Sequence, residues 1–225
     1  MQANALSVRV GRMGLGWMLV VSMLVSSGAV YAQGDAFERE LREIQNGWAV
    51  ANYQTPEALQ DRAFEELDRR ADGFVAAHPD RAEPLVWAGI VKSTWAGVRG
   101  GFGALRLVGA SRQALEAAER IDADALDGSV YTSLGALYAN VPGWPVSFGD
   151  SDKARAYFER ALRVNPTGID PNYFYGAFLA DVGEIAKARE HLQRALAAPP
   201  RPGREIADVG RRKEIQDSLA ELPAR

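Results

Sequence analysis

The chain has 225 residues with 26 basic and 29 acidic side chains, two histidines and no cysteine. The absence of cysteine excludes a disulfide framework and a lipid-modified cysteine, and the net charge of −3 argues against general binding to nucleic acid or anionic membrane, which needs a basic surface. No segment shows sustained period-two alternation, so the expected fold class is all-α.

Arg9 and Arg12 precede an apolar run from Leu15 to Val25, and Val30-Tyr31-Ala32 offers small residues where a signal peptidase reads. Residues 1–32 therefore read as a signal peptide cleaved after about Ala32, with an uncleaved anchor as the alternative. The run falls short of the roughly 20 apolar residues of a membrane span. Export to the periplasm is expected, with no membrane insertion after cleavage. Beyond Ala32 there are 24 basic residues (26 minus Arg9 and Arg12) and 29 acidic ones, a balance of −5.

Residues 33–80 read as a helix pair. Phe37, Leu41, Ile44 and Trp48 are spaced for an amphipathic helix ending near Tyr53. Thr55-Pro56-Glu57 resembles an N-cap, a first-turn proline and a first-turn acid for a second helix bearing Leu59, Phe64, Leu67, Ala71 and Phe74. His78-Pro79 ends it. Glu83-Pro84 opens the next helix, with Leu85, Trp87, Gly89, Ile90, Val91 and Trp95. A glycine-rich turn (Gly97, Gly100, Gly101, Gly103) leads to a partner helix over Leu105–Ile121.

The stretch Tyr131–Pro166 is the most informative. Tyr131, Leu134, Gly135 and Tyr138 share one helical face, and Ala154, Phe158 and Ala161 repeat the pattern on a second segment closed by Asn165-Pro166. Gly135 costs about 1 kcal/mol against alanine in a helix interior, which points to close approach by a neighbour. Asp127 or Ser129 is the expected cap of the first helix, Asp150 or Ser151 of the second, and Asp170-Pro171 of the one after. Gly176, Leu179, Ala188, Leu192, Ala195 and Pro200 repeat the arrangement, and Ala154 to Ala188, Ala161 to Ala195 and Pro166 to Pro200 are each 34 apart. These residues resemble the tetratricopeptide repeat (TPR), a helix–turn–helix unit of 34 residues. A further copy is read at Leu85, Gly89, Ala110, Ala114 and Ala117. The resemblance implies an α-α superhelix of three units over 81–200 that binds a protein or peptide partner in its concave groove without catalysis. Residues 201–225 supply a capping helix with Ile206, Val209, Ile215, Leu219 and Leu222 inward and Arg211, Arg212 and Lys213 on its other face.

The family pattern is interrupted by seven extra residues in the insert Val141–Asp150. Its Trp144 and Phe148 either seal the core or line a groove that meets a ligand. The insert also resembles the helical-repeat accessory component of tripartite ATP-independent periplasmic (TRAP) transporters, which implies a small organic ligand as the alternative to a protein partner. Candidate binding residues are Asn140, Trp144, Phe148, Asn172, Tyr173, Arg204 and Arg211, with Tyr173 or Phe174 towards the concave side. The arginines Arg201, Arg204, Arg211 and Arg212 either pair with Asp150, Asp170 or Asp208 or face an anionic partner. No phosphate loop, nucleophile elbow or paired histidines at i+3 or i+4 occur, so no catalytic residue, metal site or cofactor is expected.

Overall fold

The computed structural model describes residues 17–223, and all of its regular structure there is helical. The basic leader and the start of the apolar run lie outside the described residues. The helices are α1 (Trp17–Tyr53), α2 (Glu57–Ala77), α3 (Ala82–Arg99), α4 (Gly101–Ile121), α5 (Ala125–Asn140), α6 (Ser151–Val164), α7 (Ile169–Asp181), α8 (Ile185–Leu196) and α9 (Glu205–Glu221). Helix α1 starts ahead of Phe37, the first residue of the expected amphipathic helix, and no proline lies between the two points. Two compact units divide at Glu40/Leu41, and the second holds α2–α9 with the C-terminal part of α1.

In that second unit the helices pack as successive pairs, and each pair is locked by a glycine on its first helix. A Cβ placed on Gly135 would stand 2.8 Å from the Phe158 ring, and one on Gly176 would stand 2.9 Å from Leu192 Cγ. Gly89 faces Leu115 at 2.6 Å and Gly47 faces Leu67 at 2.9 Å in the same way. Only a residue without Cβ lets these helices approach while Phe158, Leu192 and Leu115 stay fully buried. The expected close approach at Gly135 is thus present, and the N-terminal pair uses the same lock.

The copy on α4 sits one residue away from the expected register. Ser111, Leu115 and Ala118 are fully buried, while Ala110, Ala114 and Ala117 are only half-buried. Small residues occupy both registers. Only Leu115 has the bulk to fill the space above Gly89, and Ser111 Oγ donates to Gly89 O at 2.7 Å.

Other local expectations are also corrected. Thr55 does not cap α2; its hydroxyl donates to Val50 O at 3.0 Å at the end of α1, and Pro56 occupies the N-cap. Leu59 is exposed because it lies about 140° round the helix from Phe64. The start of α5 has left-handed φ at Leu126, Asp127 and Gly128, so its regular turns begin at Ser129. Asp150 does cap α6, accepting from the Asp152 and Lys153 amides. Gly168 rather than Asp170 occupies the N-cap of α7, which frees the Asp170 side chain for arginines.

Helix α9 departs most from expectation. Val209 is exposed, whereas Asp208 and Arg211 are buried beside Ile215. The charged face turns inward because it meets charged partners there. The helix also meets α1: a Cβ on Gly210 would overlap the Tyr53 ring, and Tyr53 Oη donates to Glu214 Oε2 at 3.2 Å.

Candidate functional site

The first helices of the pairs, together with α4, α9 and residues of the segments after α5 and α8, line a chamber of about 540 Å³. Its apolar wall includes Trp48, Ile90, Val108 and Leu137, on α1, α3, α4 and α5. These helices bury one face in the pair seams, so the face next to it, roughly 100° round the helix, is left towards the chamber. Trp48 donates from Nε1 to Thr94 Oγ1 at 2.9 Å and meets Tyr53 and Trp87 edge to face, at 5.6 and 6.1 Å between centroids.

Most hydroxyls on the wall are engaged by their own helices. Ser93 and Thr94 donate to Ile90 O, Ser129 to Leu126 O and Thr132 to Gly128 O. Those oxygens shape the wall, but their protons are already used.

The polar end is built by α7, α9 and the linker between α8 and α9. Asp170 accepts from Arg201 Nη1 at 2.6 Å and from Arg211 Nε at 2.9 Å. Arg201 also binds Asp208, through its backbone amide at 2.8 Å and Nε at 2.7 Å, and Arg211 binds Glu214 at 2.5 Å. Burial pushes the Asp170 carboxyl up, but the Arg211 and Arg201 guanidiniums outweigh it and hold it at about 2. Burial opposes the charge on Arg211 too, and Asp170 more than restores it, so its pKa is raised. The Arg211 guanidinium lies 4.5 and 4.6 Å from the Tyr173 and Phe174 ring centroids.

Arg204 is different. It lies in the same cluster, yet among the described residues it makes no hydrogen bond or ion pair with a carboxylate, and its Nε is buried without a partner. Its guanidinium rests 5.0 Å above the Trp87 ring. Burial, then the neighbouring Arg201 charge, pull its pKa down. Trp87 is 4 % exposed, lines the chamber, and its Nε1 is also buried without a partner. The pair also borders a recess of about 310 Å³ that shares Asp170 and Arg201 with the chamber.

Of the residues expected to form the site, Asn140, Arg204 and Arg211 line the chamber. Phe174 lines it rather than Tyr173, which packs against the Ile169–Leu192–Ile215 cluster one position away. Asn172 is fully buried and structural: its amide donates to Pro166 O and Gly168 O, and its Oδ1 lies 3.0 Å from His191 Nδ1. Phe148 meets Tyr138 at 5.5 Å and carries the Arg112 guanidinium at 4.2 Å, which fastens the insert to the repeats. Trp144, next to a cis bond to Pro145, is 90 % exposed and neither seals the core nor lines the chamber. Of the expected arginine partners, Asp170 and Asp208 are used, and Arg212 instead donates to the carbonyls of Leu196 and Ala198. Sequence reading placed Trp48 and Trp87 on helix faces without assigning them to a site. Their presence in helices that also carry a seam glycine was the available signal.

Among the described residues no helix is long and apolar enough to cross a membrane, and no group of three or more His, Cys, Asp or Glu side chains could hold a metal ion. No protein-family model matches the chain, and no curated protein matches it. Among solved structures the chain is similar to a thermophilic TPR protein from Thermus thermophilus, with 20% sequence identity and a TM-score of 0.51, over 88% of this chain and 95% of that one. With helix pairs locked through small residues and a solved TPR protein superposing on most of its length, the chain has a TPR-like, all-α helical-repeat fold.

Proposed function

We propose that this protein is a non-catalytic binding protein of the cell envelope that holds a small organic molecule in the chamber between its inner helices. The observation that carries this reading is the chamber itself. Its volume of about 540 Å³ lies within the roughly 300–1,000 Å³ of small-molecule sites, and its lining combines apolar side chains with one charged cluster around Asp170. Support for a non-catalytic role comes from the wall chemistry. The hydroxyls of Ser93, Thr94, Ser129 and Thr132 donate to helix carbonyls instead of to a base, and Asp170 is neutralised by two arginines. The envelope location rests on the leader sequence, and a TRAP-transporter accessory setting rests on the insert resemblance alone.

The test is titration of the full chain with the neutral apolar dye N-phenyl-1-naphthylamine, alongside an Ala136→Trp variant that fills the chamber from α5. Saturable binding to the wild type, lost in the variant with its melting temperature retained, supports the reading. Equal binding to both proteins contradicts it.

A second reading is favoured by a separate observation. Trp144 and Val146 are exposed at the tip of an insert anchored by Phe148, which suits docking to a protein partner. A Trp144→Ala variant that loses a stoichiometric partner from envelope extract while still binding the dye would assign partner docking to the insert.

A further inference from the structure

The pairing of Arg204 with Trp87 leaves two buried N–H donors, Arg204 Nε and Trp87 Nε1, with no acceptor among the described residues. Buried donors are rarely left without a partner, and each one costs stability until an acceptor arrives. Every neighbouring carboxylate is already taken: Asp170 by Arg201 and Arg211, Asp208 by Arg201, and Glu214 by Arg211 and Tyr53. The rest of the lining includes the apolar side chains of Trp48, Ile90, Val108 and Leu137.

We propose that the chamber selects a small organic carboxylate, whose carboxylate group is received by Arg204 and Trp87 Nε1 and whose apolar body lies against α3, α4 and α5. This rests on the small-molecule reading above and specifies its ligand class. The carboxylate supplies acceptors for both orphaned donors, at the arginine that makes no hydrogen bond to a carboxylate among the described residues. The Arg204 guanidinium already rests 5.0 Å from the Trp87 ring centroid, so little side-chain freedom is lost on binding.

The probes are hexanoate, its neutral analogue hexanamide, and a hexapeptide with a free or amidated C-terminus, each titrated calorimetrically into the full chain. Hexanoate is expected to bind at least tenfold more tightly than hexanamide, since a charge-assisted hydrogen bond is lost with the amide. Arg204→Gln and Trp87→Phe should each remove most of that preference while still binding the neutral dye. Trp87→Phe keeps the ring and carries the test if Arg204→Gln fails to fold. Equal binding of acid and amide, or an unchanged preference in both variants, overturns the carboxylate assignment while leaving the chamber reading standing if the dye binds. Failure of both dye and acid to bind overturns both. A preference for the free-terminus peptide over hexanoate would overturn the small-molecule assignment and give the carboxylate to a chain terminus.

Discussion

The seams between paired helices and the chamber they enclose are built from the same helices but obey opposite rules. At the seams, Gly135, Gly176, Gly89 and Gly47 leave no room for even one methyl group, and the facing Phe158, Leu192 and Leu115 are fully buried. In the chamber, an open volume of about 540 Å³ survives beside Ala136 and Ala207, and two donors stay unpaired. Filled space in one and retained space in the other shows that the seam glycines serve packing, whereas the small residues of the inner face keep a volume open.

Removing the bulk on one side of a seam should have the largest effect. Phe158→Ala is expected to cost about 3–5 kcal/mol in urea unfolding, because the ring fills the space above Gly135 and meets Tyr175 and Phe178 at 5.7 and 5.6 Å. Breaking the charged end comes next. Asp170→Asn should cost about 3 kcal/mol at neutral pH, since it leaves Arg201 and Arg211 short of a partner. Because the folded-state pKa of Asp170 is depressed to about 2, its stabilisation is present above the unfolded value near 4 and is lost as pH falls towards 2. Urea midpoints measured from pH 5 to pH 2.5 should therefore fall more steeply in the wild type than in Asp170→Asn.

A matched pair of glycine substitutions sharpens the contrast. Gly135→Ala should destabilise by about 1–3 kcal/mol, as its Cβ would press on a buried ring. Gly109→Ala, inside α4 with nothing within 4 Å, should stabilise by up to about 1 kcal/mol through helix propensity. Thermal melts of the two variants should move in opposite directions, and a shift of the same sign would break the distinction between seam and open positions. Smallest of all, Trp144→Ala should change stability by less than about 0.5 kcal/mol, because the ring is 90 % exposed.

Seams were legible in the sequence because a seam is a spacing. Gly135, Ala154, Phe158 and Ala161 announce a close contact through size and period alone, and the 34-residue interval from Ala154 to Ala188 repeats it. The slip on α4 shows where that signal thins: with alanines at 110, 114 and 117 and a serine and an alanine at 111 and 118, only the bulk of Leu115 decides the register. The chamber was less legible. Its wall draws on Trp48, Trp87, Leu137, Phe174 and Arg204, which are far apart in the chain and share no period. Arg204 and Arg211 were recognised as candidates by charge, but their different states depend on which carboxylates lie within reach, a tertiary fact. Asn172 and Trp144 lie away from the chamber for the complementary reason. A polar side chain can be satisfied inside a turn between repeats, and an aromatic one can be held outward by an insert with its own internal hydrogen bonds, such as Gly149 N to Pro142 O at 3.0 Å.

A crystal structure of the full chain grown with hexanoate tests the central claim most directly. The expected result is one ligand in the chamber, its carboxylate within about 3 Å of Arg204 Nε and Trp87 Nε1 and its alkyl chain against Ile90, Val108 and Leu137. Hexanoate seated only on the outer surface, or side chains collapsed to fill the chamber, would contradict it.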